Sequence, residues 1–423
     1  MSDPLTLPSP CGRGNARRGW RAWGLVWLAL LSFSARAARS EESAPGTPLL
    51  AAAERAPLVV VGQVERVARL DGSAYAATLR VHRALRGAVG PAVPVAWEEL
   101  ARGRAPRLAP GQTVLLALDE VPSGSLWRER AHAHAGLRVI AGAGDALLVD
   151  PSPTDLRELV VYLALPPDAA PAARAAALAR LADASGDALA AAALARLARA
   201  DLAAALDAAA TAALLRVAAD QRRPLPLRAA VIELAAAARL QAAQQPLERL
   251  ARPGGPLESE ALSALGRIRG SLPPAQVEAL LARRAPAVRA VGARYATGTL
   301  AERRLPELVR ADSAPEVRAA AAEALAATRT VWGIDGCLPA LADSSPLVRA
   351  AAAAALGRLG APAVPALEDA ARQVPAQAAG AVTALSLAGA PGAAALRRLA
   401  HDGPNEQVRD LAKLALGEGP HAH

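Results

Sequence analysis

Side chains suited to catalysis or metal binding are sparse in this chain, and their spacing mostly argues against both. His132 and His134 stand two apart, so on a strand they would share a face like two metal ligands. No third ligand lies near them in sequence, and a solvated loop is the expected setting. Lys413 is the single lysine among 48 basic residues, and hence the only side-chain amine for Schiff-base chemistry. It falls at an exposed helix position. Cys337 is the one cysteine beyond Cys11, and in an alanine-rich helix it has the pattern of a small buried residue. His421 and His423 fall in a Gly/Pro tail. A phosphate-binding glycine loop, HExxH, CxxC and GxSxG are all missing from the sequence. No catalytic residue, metal or cofactor is therefore assigned, and a non-enzymatic protein is expected.

One polar pair does recur. An aspartate precedes an arginine by six residues at Asp168/Arg174, Asp312/Arg318 and Asp343/Arg349. A catalytic pair is needed once, whereas a pair repeated in fixed register is a structural ladder. Each carboxylate would accept from backbone amides or from the arginine and lock successive units. The arginine position can be followed through Arg228, Ser259, Arg289, Arg318, Arg349, Ala378 and Arg409, at spacings of 31, 30, 29, 31, 29 and 31. A period near thirty implies a stack of supersecondary units, each touching its neighbours. Within the clearest unit Ser345 and Pro346 suit a helix start. Val348, Ala352, Ala355, Leu356 and Leu359 then form one apolar stripe. Val317/Ala321/Ala324/Leu325 and Val408/Ala412/Ala415/Leu416 repeat it. A second, shorter helix, Val364–Ala371, follows the Gly360–Pro362 break.

The segment from Leu341 to Ala350 (LADSSPLVRA), with the downstream Ala355–Gly360 (ALGRLG), resembles the short HEAT-type repeats of the phycobilisome-lyase class. It recurs at Arg310–Arg318 and more loosely at Asp402–Arg409. The resemblance implies an α-α superhelix over 168–417 with seven to eight repeats. Units before 225 are degenerate, and 253–275 departs, with Glu258 and Ser259 where valine and arginine belong. Some relatives act on bilin chromophores, but that calls for an aromatic-lined groove, and aromatics are 2% of this chain. Di-iron hydroxylases built on such repeats carry His-Glu pairs, and this chain has no His-Glu dipeptide.

Ahead of the repeats the pattern is that of strands. Runs at 58–64, 76–82, 93–97, 113–118, 137–140 and 146–149 are separated by Gly/Pro punctuation, as in a small all-β barrel or sandwich. Val59–Gly62, Arg80–Gly87 and Leu108–Leu118 resemble a β-domain of exported bacterial proteins related to netrin-like and OB-type barrels. The expected chain is thus multidomain: a barrel over 57–150, a bridging helix over 151–167 capped at Thr154 or Asp155, the solenoid over 168–417 and a disordered tail over 418–423.

Residues 1–37 read as a signal peptide, with basic Arg17, Arg18 and Arg21, an apolar run from Ala22 to Phe33 and an Ala35-Arg-Ala37 cleavage site. A linker over 38–56 follows. The apolar run is shorter than the ~20 residues a spanning helix needs, so no stable membrane span is expected after cleavage. Export of the Gram-negative type would place the protein in the periplasm or outside the cell. The formal charge of +9 falls to +5 without that leader (Arg13, Arg17, Arg18, Arg21 and Arg36 against Asp3). Arginine otherwise alternates with Asp and Glu, which argues against nucleic acid as partner. The expected function is protein–protein interaction on the concave face lined by the second helices, with an envelope or extracellular protein as partner. Glu307, Arg310, Glu368, Arg372, Arg397 and Arg398 are the contact candidates, because they interrupt the apolar stripes of those helices. Glu307/Arg310 and Glu368/Arg372 also suit pairing within one helix. An enzyme or regulator with its site on the β-domain or at its junction with the solenoid is the alternative, favoured by convergent polar residues there and opposed by a Val/Leu filling.

Overall fold

The computed structural model describes residues 47–71, 74–98, 108–121, 127, 136–141, 146–166 and 168–418 of the 423. The leader, His132, His134, His421 and His423 lie outside them. The chain divides into two compact units, Met1–Pro151 and Ser152–His423.

In the first unit, helix α1 (Thr47–Arg55) precedes strands β1 (Leu58–Asp71), β2 (Ala74–Arg86), β3 (Ala92–Glu98), β4 (Thr113–Glu120), β5 (Arg138–Ile140) and β6 (Leu147–Val149). The strands follow the order β1-β2-β3-β5-β4, and β4 pairs back onto β1. The five-stranded barrel is therefore closed, with β3–β5 its one parallel pair and β6 added outside β4. This closure carries hydrogen-bonded pairing round the ring from β1 to β5, as expected of an OB-type barrel. Leu58, Val59, Val60 and Val61 are all buried, and so are Val114 to Leu118. Unbroken apolar runs need cover on both faces of a strand. Helix α1 supplies part of it, packing on β4 with Leu49, Leu50, Ala52 and Ala53 buried. Arg86 Nη1 donates to the carbonyls of Ala53 (2.5 Å) and Glu54 (2.6 Å), satisfying acceptors that the last turn of α1 leaves free. At Gly62 β1 shifts register, and any Cβ there would strike the Arg80 carbonyl on β2. Strand β1 runs seven residues beyond Val64, paired with β2 along a largely exposed stretch that lacks an apolar signal.

The second unit opens with α2 (Pro153–Leu163). Its cap is Ser152, not Thr154 or Asp155. Ser152 Oγ accepts from the Asp155 amide (3.1 Å), and Asp155 Oδ2 accepts from the Ser152 amide (2.8 Å), a capping box. Asp155 is buried because its Oδ1 also accepts from the Gly186 amide (2.7 Å), which ties α2 to the helix that follows Gly186. Helices α3 (Pro171–Ala184), α4 (Asp187–Leu197), α5 (Ala200–Ala203) and α6 (Ala208–Ala219) make up the degenerate region. Arg216–Asp183 (2.5 Å) and Arg223–Asp187 (2.9 Å) cross-link it.

Regular alternation begins at α7 (Leu225–Ala237). The first helices are α7, α9 (Glu258–Arg269), α11 (Pro286–Tyr295), α13 (Pro315–Ala327), α15 (Pro346–Leu359), α17 (Pro375–Leu387) and α19 (Glu406–Ala415). Between them lie the second helices α8 (Gln244–Leu250), α10 (Pro274–Leu281), α12 (Gly298–Ala311), α14 (Val331–Cys337), α16 (Val364–Gln373) and α18 (Gly389–Asp402). The first helices pack side by side, α11 on α13 on α15 on α17. Alanine allows this on more than one face, and Ala319, Ala320, Ala321 and Ala322 of α13 are all buried. At Gly357 the approach of α17 leaves no space for a Cβ beside Leu387. Second helices such as α12 and α16 keep one apolar and one polar face. Among the described residues no single helix is long and apolar enough to cross a membrane.

Candidate functional site

The recurring arginines do two jobs at the turn that joins a second helix to the next first helix. Arg318 Nη1 donates to the carbonyls of Asp312 (2.8 Å) and Ser313 (3.4 Å), six and five residues back in its own unit. Its Nε and Nη2 grip the carboxylate of Asp343, 25 residues ahead in the next unit, at 2.7 and 2.9 Å. Arg289 does the same, with Arg283 and Arg284 carbonyls behind (3.0 and 2.7 Å) and Asp312 ahead (2.9 and 2.8 Å). Each aspartate also accepts from its own turn, Asp312 from the Ala314 amide (2.9 Å) and Asp343 from the Ser345 amide (2.8 Å). Asp312 and Asp343 thus face the arginine of the preceding unit, not the one six residues downstream.

Both pairs are nearly shut off from water, with side-chain exposures of 14% and 7% for Arg289–Asp312, and 13% and 10% for Arg318–Asp343. Forked bonding between buried partners fixes geometry as well as charge. The Arg318 bonds hold the Asp343 carboxyl below its ordinary pKa against the cost of burial. Burial pushes the Asp312 carboxyl up, but Arg289 and the Ala314 amide outweigh it and leave a net lowering. Arg289 and Arg318 are raised correspondingly.

Beyond Asp343 the aspartate position of the next unit, six residues before Ala378, is Arg372. Arg349 keeps the backward bonds to Asp343 and Ser344 carbonyls (2.6 and 3.0 Å), and Arg409 keeps one to Gly403 (2.9 Å). At the other end Arg174 donates to the Pro166 carbonyl (3.3 Å).

The departure at 253–275 is a rung with its charges exchanged. Leu257, Ala261, Ala264 and Leu265 are buried with the spacing of Val348, Ala352, Ala355 and Leu356. Glu258, not Ser259, therefore holds the arginine position. It is 5% exposed and pairs at 2.9 Å with Arg283, which stands 25 residues ahead in the aspartate position of the next unit. The turn behind it is inverted to match. Glu258 Oε2 accepts from the Gly254 amide (2.7 Å), where an arginine would donate to carbonyls.

On the second-helix row, Glu368 of α16 accepts from Arg398 of α18 (2.6 and 3.1 Å) and from Arg372 (3.2 Å). Arg372 reaches Asp402 (2.8 Å) and its carbonyl (3.1 Å). The Arg398 bonds, with help from Arg372, hold the Glu368 carboxyl below its usual range. Three of the six contact candidates, Glu368, Arg372 and Arg398, are thus brought together and joined by Asp402, which sequence reasoning had not included. Glu307 pairs loosely with Arg304 (3.7 Å), not with Arg310. Arg310 and Arg397 are exposed and have no side-chain partner among the described residues.

Elsewhere, Cys337 is buried, and burial together with Glu323 pushes its thiol up to about 12. Among the described residues no group of three or more His, Cys, Asp or Glu side chains is placed to hold a metal. The described core of the first unit is mostly Val, Leu and Ala, with Trp97, Trp127 and Ile140 also buried and Tyr75 stacked on Trp97 at 5.7 Å.

A family profile for HEAT repeats matches residues 301–386 and 334–417. The C-terminal part of the chain is therefore built of HEAT repeats, preceded by the closed barrel. None of the curated proteins matches. Among solved structures the chain is similar to human deoxyhypusine hydroxylase in complex with glycerol, at 23% identity, over 63% of this chain and 97% of that one, with a TM-score of 0.23. A likeness that slight carries no argument about chemistry.

Proposed function

We propose that this protein is an exported, non-enzymatic scaffold that holds a segment of an envelope or extracellular protein along its second-helix row. HEAT repeats commonly mediate protein interactions, and a stacked array offers an extended surface for them. The observation that carries the reading is the division of labour between the two helix rows. First helices bury most of their length against one another and the rungs, and leave charges such as Arg294, Glu316 and Arg358 exposed in their end turns. Second helices keep exposed charges, Glu307, Arg310 and Arg397, that no rung consumes. Such contacts are polar and weaken with salt. The basic cluster, apolar run and Ala35-Arg-Ala37 of the leader support export.

Fractionation of the host with mass spectrometry of the mature N-terminus tests the location, and a start near Ala38 in the periplasmic or secreted fraction is expected. Capture from that fraction tests the surface. Arg310→Glu with Arg397→Glu should reduce recovery of the captured protein at least about fivefold, a loss of roughly 1 kcal/mol. An intact N-terminus in the cytoplasm contradicts export, and undiminished capture contradicts the assignment of the surface.

A further inference from the structure

Two rungs of the ladder have an arginine at both ends. At 349/372 the second arginine, Arg372, is taken up by Glu368 and Asp402, whereas 228/252 has no such carboxylates. Leu227, Val231, Leu234 and Ala235 of α7 are buried in the same stripe as their counterparts in later units, which puts Arg228 in the arginine position. The aspartate position of the following unit, six residues before Glu258, is Arg252. Arg228 is 6% exposed, yet its one side-chain hydrogen bond to a described residue is from Nε to the Ala218 carbonyl at 2.8 Å. Its terminal nitrogens, which in Arg289 and Arg318 reach carbonyls and a carboxylate, have no acceptor among the described residues. Those nitrogens are not sealed from solvent, so water in the cleft hydrates a guanidinium that the other rungs pair with a carboxylate.

A cleft of about 510 Å³ opens at this place, lined by Arg228, Arg249, Arg252, Leu250, Gly255 and Leu257 among others, and no acidic residue lines it. The carboxylates nearest in sequence are engaged elsewhere. Glu233 pairs with Arg267 (2.5 Å), Glu248 pairs with Arg269, Asp220 accepts from the Arg222 amide (2.9 Å), and Glu258 turns to Arg283 and the Gly254 amide. Arg249 and Arg252 are exposed and make no side-chain bond to a described residue. Three arginines thus line one cleft where the rungs at 289/312 and 318/343 place a carboxylate.

We propose that this cleft binds a carboxylate presented by an acidic side chain of the protein that the scaffold holds. It would occupy the place that Asp312 and Asp343 take in their own rungs and accept forked bonds from Arg228 and Arg252. This inference rests on the scaffold reading and gives its partner a chemistry, an Asp/Glu-bearing segment.

Fluorescence anisotropy of a labelled Asp/Glu-rich peptide with the full chain, at fixed ionic strength, tests it. The wild type should bind, and the same peptide with Asn and Gln in place of Asp and Glu should bind at least tenfold more weakly. Arg252→Asp supplies the missing carboxylate from within. It should weaken peptide binding at least tenfold while raising the thermal midpoint, so lost binding cannot be ascribed to misfolding. Arg249→Glu should weaken binding by a smaller factor at unchanged midpoint. Failure of the wild type to bind, or equal binding by the Asn/Gln peptide or by Arg252→Asp, overturns the proposal. Inorganic phosphate is the parallel probe. A rise in midpoint with phosphate that Arg252→Asp abolishes, without peptide binding, assigns the cleft to free anions and also overturns it. Capture from the envelope fraction by the wild type and by Arg252→Asp separates the two readings. Equal capture leaves the scaffold standing and removes the cleft, whereas no capture by either removes the scaffold.

Discussion

The rungs at 289/312 and 318/343 and those at 228/252 and 258/283 occupy equivalent turns, but they solve the charge problem in three ways. The first two bury an arginine–aspartate fork. The 258/283 rung buries the same interaction reversed, and its turn changes from carbonyl acceptors to the Gly254 amide donor. The 228/252 rung offers two positive ends and a cleft. The position, not the residue type, is what the repeat preserves. A buried slot tolerates either sign of charge provided that both the partner and the local turn are exchanged with it. When the partner alone is exchanged, an unpaired charge and a space remain.

The largest effect should come from breaking a regular rung. Asp343→Ala strands Arg318 where water barely reaches, and is expected to cost about 3–5 kcal/mol by denaturant unfolding, as for other broken buried pairs. Glu258→Ala breaks the reversed rung. Its partner Arg283 is 33% exposed and recovers part of its hydration, so a smaller loss of about 1–3 kcal/mol is expected by the same measurement. Equal costs would show that the two rungs are interchangeable in energy as well as in place.

Acid should weaken the regular rungs. The folded pKa values of Asp312 and Asp343 lie below the ordinary 3.8. The stability they give is therefore fully present above about pH 4 and is lost as pH falls through the depressed values. Asp312→Asn with Asp343→Asn should flatten the fall in unfolding free energy below about pH 4, and an unchanged slope would contradict the assignment.

The finest test uses Cys337, whose buried, high-pKa thiol reacts only when its surroundings open. Asp343→Ala acts next to this helix and should speed thiol labelling in native buffer about tenfold or more. Glu258→Ala, several units away, should leave it within about twofold, because an array couples chiefly to its neighbours. Equal acceleration would mean that the units open together.

Much of this was legible in the sequence, for reasons that also explain what was not. The period and the stripe Val348/Ala352/Ala355/Leu356 announce stacked helix pairs, because burial imposes them in every unit. The strands were visible as apolar runs, whereas the extension of β1 to Asp71 is exposed and leaves no such trace. The Asp–Arg spacing of six pointed to a ladder, but a spacing within one unit does not say that the carboxylate faces the arginine of the unit before. Following the arginine through Ser259 missed the reversed rung. The stripe Leu257/Ala261/Leu265 held the correct register, and reading it first would have found Glu258 and then Arg252. The Glu368–Arg398 and Arg372–Asp402 pairs span 30 residues, a distance that helix spacing alone cannot connect.

The account stands most directly on a double-mutant cycle at Arg318. Coupling to Asp343, 25 residues ahead, should be at least about 2 kcal/mol, and coupling to Asp312, six residues behind, no more than about 0.5 kcal/mol. Strong coupling to Asp312 with none to Asp343 would place the pair inside one unit and contradict the ladder between units.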